Sequence, residues 1–182
     1  MRSKMLTGIL ALCLLCLLIG TQAKVFAGEF YLHDNKQYWW YHVADPYFYV
    51  AVPNNAELYI NKTMFGYEFL EISWDKGTIV MEIGVIPNAK TDDVINFVAK
   101  RWTPFLKNTS VFANREITTS NNLKTYFYGI EGTGPDGKKS MLRSVYFNNG
   151  QAVVYLAMFL PSSKYQGDMQ NHWLKAVNEF EW

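Results

Sequence analysis

The sequence is poor in cysteine: it has two in 182 residues, Cys13 and Cys16, both inside one early apolar run. It also lacks a dominant charge, since 17 Lys and Arg against 16 Asp and Glu leave a net charge of +1. Counterion release from a phosphate backbone needs a cationic surface, so nucleic-acid binding is not expected. Histidine is scarce, with only His33, His42 and His172. No H-E-x-x-H or H-x-x-H pair occurs, so the two-ligand helix of many zinc enzymes is missing. No G-x-S-x-G elbow appears, and Gly132-Thr133-Gly134-Pro135-Asp136-Gly137 has no following G-K-[ST] with which to cradle phosphate. No catalytic set, metal site or cofactor is expected. There is no internal repeat and no low-complexity linker.

The apolar run itself reads as an export signal. Arg2 and Lys4 precede Met5 to Ile19, a stretch about 15 residues long, against roughly 20 for a spanning helix. Small residues then mark two cleavage sites, Val25-Phe26-Ala27 before Gly28 and Thr21-Gln22-Ala23 before Lys24. The boundary is set at Ala27, giving residues 1–27 as signal peptide and 28–182 as one domain; an uncleaved anchor is the competing reading. Leu12 and Leu15 stand before the cysteines where a lipidation signal needs a small residue. Removing 1–27 takes away both thiols and three cations, leaving 14 basic and 16 acidic residues. The mature chain is expected in the periplasm of a bacterium or secreted, without membrane insertion, and held together by its core alone.

That chain alternates as strands do. Tyr38 to Val43 is extended, Asp45-Pro46 turns, and Tyr47 to Val52 puts Phe48, Val50 and Val52 on one face. Tyr67 to Trp74 and Thr78 to Ile86 form a hairpin over Asp75-Lys76-Gly77. Thr91 is placed as the cap of a helix whose stripe is Val94, Val98 and Trp102, and Pro104 ends it. Strands follow over 111–119, 124–131, 139–148 and Gln151 to Leu160. The last is apolar on both faces: Ala152, Val154, Leu156 and Met158 opposite Val153, Tyr155, Ala157 and Phe159. Both faces must therefore be covered. After Pro161-Ser162-Ser163 a helix carries Tyr165, Met169, Trp173 and Val177. The fold class is α+β, a three-layer α/β/α sandwich with a central antiparallel sheet and one main helix on each face.

Aromatic residues are abundant, with 6 Trp, 12 Tyr and 12 Phe. Six of them, Tyr38, Trp39, Trp40, Tyr41, Tyr47 and Tyr49, fall within twelve residues. Extended geometry points Trp39 and Trp40 opposite ways. With Phe48, Val50 and Val52 supplying a core stripe, Trp40 and Tyr38 are expected to be exposed. Glu82 is read as an edge-strand guard against aggregation. His172 is read as a half-exposed structural residue.

Four features occur together: Phe48-Tyr49-Val50-Ala51-Val52-Pro53, the Thr91-Asp92-Asp93 helix start after a hairpin, Tyr155 to Tyr165 feeding a last helix, and the aromatic ending Asn178-Glu179-Phe180-Glu181-Trp182. In these the chain resembles PsbP-like and DcrB-like proteins over residues 44–182. The resemblance implies the same sandwich and a non-enzymatic role, since some members support a membrane complex from the exported side. Tyr38-Trp39-Trp40-Tyr41 is an addition to that pattern. The expected function is an exported envelope protein that binds a partner protein or small ligand through Tyr38, Trp40, Tyr41, Tyr47 and Tyr49, exposed aromatics offering flat apolar faces with a polar handle. A carboxylate-based hydrolase or lyase, and a small-ligand carrier with an apolar cavity, are the alternatives.

Overall fold

A computed structural model gives the fold for residues 28–62 and 68–182. The expected export segment lies outside the described residues. Ten strands run in chain order as β1 (Glu29–Leu32), β2 (Tyr38–Ala44), β3 (Tyr47–Pro53), β4 (Glu57–Lys62), β5 (Glu68–Trp74), β6 (Ile79–Pro87), β7 (Lys107–Thr118), β8 (Lys124–Thr133), β9 (Lys139–Asn148) and β10 (Ala152–Pro161). Helix α1 (Thr91–Trp102) lies between β6 and β7, and α2 (Asp168–Asn178) follows β10. Among the described residues no helix is long and apolar enough to cross a membrane.

The strands form two antiparallel sheets. The large one has the order β4-β5-β6-β10-β9-β8-β7, and the small one β1-β2-β3. Strand β10 is the centre of seven, and its two apolar faces meet two separate cores. Val153, Tyr155 and Ala157 pack with Val94, Ile95, Val98 and Trp102 of α1. Val154, Leu156 and Met158 pack with Trp173, Ala176 and Val177 of α2, together with Tyr41, Phe48, Val50 and Val52 of the small sheet. Each large side chain so buried stabilises by about 1.5–3 kcal/mol. The central antiparallel sheet with a helix on each face is thus the expected sandwich. The small sheet, which shares a layer with α2, was not foreseen.

Local chemistry sets the ends. Helix α1 carries Asp92 and Asp93 in its first turn and Lys100 and Arg101 in its last, each matching the helix dipole. The expected Thr91 cap is not formed. Lys90 is the N-cap and makes no side-chain bond, while the Thr91 hydroxyl accepts a hydrogen bond from Asn148 Nδ2 at 3.0 Å. Between β5 and β6 the turn runs through Asp75, Lys76 and Gly77 at φ 50°, 55° and 84°. At Gly84 a glycine is required by close approach: Tyr155 lies opposite in register, and a Cβ there would stand 2.4 Å from the ring.

Candidate functional site: the outer face of the small sheet

Alternation along β2 and β3 divides the aromatic cluster. Tyr41, Val43, Phe48, Val50 and Val52 face the large sheet. In the register Trp40 opposes Ala51, His42 opposes Tyr49, and Ala44 opposes Tyr47. Strand β1 adds Glu29 beside His42 and Tyr31 beside Trp40. The outer face therefore carries Tyr31, Tyr38, Trp40, His42, Tyr47 and Tyr49.

These rings are in contact with one another. His42 stacks on Tyr49 at 4.4 Å between centroids, and Tyr47 meets both edge-on at 5.3 Å. Trp40 meets Tyr49 edge-on at 6.3 Å, and His33 stacks on Trp40 at 4.5 Å. Tyr31 reaches His42 at 5.9 Å. At this end the face is open, with Tyr47 53% and Tyr31 47% exposed. It is also negative. The Tyr31 hydroxyl donates to Glu29 Oε2, and the Glu29 carboxylate raises the Tyr31 phenol pKa. The Tyr49 phenol is likewise raised, first by its hydrogen bond with Tyr47, then by burial and by Tyr47, Tyr31 and Glu181. Glu181 is held there by paired backbone bonds to Tyr49, at 2.8 and 3.0 Å.

The other end of the face is closed by α2. Tyr38, expected to be exposed, is 5% exposed. Its hydroxyl lies 2.9 Å from His172 Nδ1, and Lys175 Nζ sits 5.2 Å from its ring centre. Burial, then the Glu179 and Asp168 carboxylates, raise the Tyr38 pKa, so the phenol keeps its proton at neutral pH. His172 is buried rather than half-exposed and stacks on Trp74 at 5.8 Å. Burial lowers its pKa, against a small opposing effect of Asp168. Next to it His33 Nε2 meets Glu179 Oε2 at 2.9 Å, and Lys175 pairs with the same carboxylate. Burial raises Glu179, but the bonds from Lys175 and His33 outweigh it and the net shift is downward.

Of the five residues expected to bind, Tyr47 is exposed and Trp40 and Tyr49 are half-buried on the outer face. Tyr41 is core: it is 5% exposed and packs on Phe30 and Phe48 at 5.1 and 6.4 Å. Trp39 and Trp40 are both half-buried, so neither is the freely exposed tryptophan expected. Tyr31 and His42 were missed. Strand β1 is only four residues long and shows too little alternation to be recognised, while a lone histidine beside tyrosines carries no motif.

The carboxylates of the large sheet are arranged otherwise than expected. Glu82 lies on β6, an interior strand, and is fully buried. It is therefore no edge guard. Arg101 of α1 closes on its Oε1 through Nε at 2.8 Å and a terminal nitrogen at 2.7 Å, while the guanidinium lies over Phe69 at 4.6 Å. Burial raises the Glu82 pKa and Arg101 opposes it. Glu71 stands opposite in register. A pocket of about 310 Å³ opens at the start of α1. Its lining includes Asp92, Glu116, Lys124, Tyr126, Tyr146 and Asn148. Among the described residues no group of three or more His, Cys, Asp or Glu could hold a metal ion.

The architecture matches the solution structure of cyanobacterial PsbP (CyanoP) from Synechocystis sp. PCC 6803, with TM-score 0.50 over 88% of this chain and 95% of that one. The fold is PsbP-like. Sequence identity to CyanoP is 7%, so the likeness is one of fold. PA94 from Pseudomonas aeruginosa, a protein of unknown function, is similar at TM-score 0.42 and 12% identity, over 84% of this chain and 94% of that one. No family model and no curated protein matches the sequence.

Proposed function

We propose that this PsbP-like domain is an exported, non-enzymatic protein of the bacterial envelope, which binds a partner protein through the open end of the outer aromatic face. The observation that carries the reading is the joined set Tyr31, His42, Tyr47 and Tyr49, with two tyrosines about half exposed. Large rings held in water are stabilised by a partner that covers them, and Tyr and Trp are common anchors of such contacts. Their mutual packing fixes the rings in advance, which lowers the entropy lost on binding. Other exposed apolar residues, such as Phe105 and Leu174, stand apart from this set. The apolar run before Gly28, with its small-residue cleavage sites, supports the export part.

The test places a photo-cross-linking residue at position 47 of the full chain in living cells, with position 105 as control. An adduct in the envelope fraction formed from 47 but not from 105 is expected. Equal adducts from both positions, or protein retained in the cytoplasm, would overturn the reading.

A further inference from the structure

The small sheet ends in a free edge, and its charge is one-sided. Among the described residues β1 pairs only with β2, and all four of its residues are exposed. From Gly28 to Pro53, the small sheet and its turns, the sequence holds one cation, Lys36, against Glu29, Asp34 and Asp45. Among the described residues of the small sheet, no Lys or Arg stands in register with Glu29, Tyr31, His42, Tyr47 or Tyr49. On its other face β1 offers Phe30 and Leu32, the latter 78% exposed. A strand laid along this edge would find backbone N–H and C=O groups to pair with. Its side chains would alternate between two different surfaces, aromatic with a carboxylate on one side and apolar on the other.

We propose that the free edge of β1 takes an extended segment of a partner protein in which Lys or Arg alternates with apolar residues. This rests on the reading that the outer face is a binding face. Cross-strand neighbours stand about 4.5–5.5 Å apart, so the cations would lie beside Glu29 and over the Tyr31 ring. The carboxylate attracts them by charge and the ring by its quadrupole. The intervening apolar side chains would cover Phe30 and Leu32. The raised phenol pKa of Tyr31, due first to its hydrogen bond with Glu29, accords with that carboxylate. Such a segment would also close the β1 edge, which has no neighbour among the described residues; β3, on the other side, is met by Glu181.

The test uses the exported protein and three acetylated seven-residue peptides. One alternates Lys with Val, one has the same composition in two blocks, and one alternates Glu with Val. Titration followed by amide hydrogen exchange reads both affinity and place. The alternating Lys/Val peptide is expected to bind and to protect amides of Glu29 to Leu32. The other two peptides should bind at least about tenfold more weakly, and Glu29→Lys, an exposed change that leaves the thermal midpoint in place, should cost the first about tenfold. No binding, binding without protection of β1, or equal binding of the block or Glu/Val peptide would overturn the proposal. If the peptide fails while position 47 still yields its envelope adduct, only the basic strand is refuted; if both fail, so is the binding face.

Discussion

The Tyr38 hydroxyl and Nδ1 of His172 are hydrogen-bonded across 2.9 Å, joining residues 134 apart in the sequence. This bond closes one end of the aromatic face and leaves the other open. Tyr38→Phe keeps the ring and removes the hydroxyl, so a buried imidazole nitrogen loses its partner. We expect a loss of about 1–3 kcal/mol in urea unfolding, with no loss of adduct from position 47.

His172 also gives a pH dependence of known sign. Burial holds its pKa below the ordinary 6.5, so the unfolded chain takes up the proton first as pH falls. Stability from this residue is complete above about pH 6.5 and declines as pH drops through 6.5 toward the lowered folded value. His172→Phe removes the titration. The difference in thermal midpoint between pH 7.5 and pH 5.5 should therefore be smaller in the variant than in the parent protein.

Glu82 behaves in the opposite sense. Its folded pKa lies above the ordinary 4.5, so its contribution is complete below 4.5 and lost as pH rises through the raised value. Arg101 limits that loss. Arg101→Met leaves the carboxyl buried alone and should destabilise by about 3 kcal/mol at pH 8, less than a fully buried pair would give because the guanidinium is partly exposed. At pH 5 the defect should shrink, since the lone carboxyl takes up a proton. Chemical unfolding at the two pH values checks this.

Gly84 tests the packing of the α1 face. The Tyr155 ring that a Cβ would meet is fully buried between β6 and α1 and has little room to move. Gly84→Ala should cost about 1–3 kcal/mol by overpacking, measured by thermal unfolding.

Much of this fold is legible in the sequence, for physical reasons that also mark where legibility stops. The double apolar alternation of Val153 to Phe159 requires cover on both faces, and the stripes of Val94 and Trp173 supply it. Alternation assigns faces but not neighbours, so nothing in Tyr38 to Pro53 tells that these strands form their own sheet. Tyr38 looks surplus to the core until His172 and Lys175, far along the chain, arrive above it. Glu82 looks like an edge residue because its partner Arg101 belongs to the last turn of a helix. The outer face was half visible: Trp40, Tyr47 and Tyr49 share it, while Tyr41 points the other way into the core.

The most direct measurement pairs binding with stability in a Tyr47→Ala, Tyr49→Ala variant of the full chain. A photo-cross-linking residue at position 31 reports whether the partner still sits on the outer face, and the thermal midpoint reports the fold. The binding-face account predicts that the envelope adduct is lost. It also predicts that the midpoint moves by only a few degrees, corresponding to about 1 kcal/mol, since Tyr47 is exposed and Tyr49 only half-buried, both outside the core. An undiminished adduct, or a loss of adduct accompanied by unfolding, would contradict it.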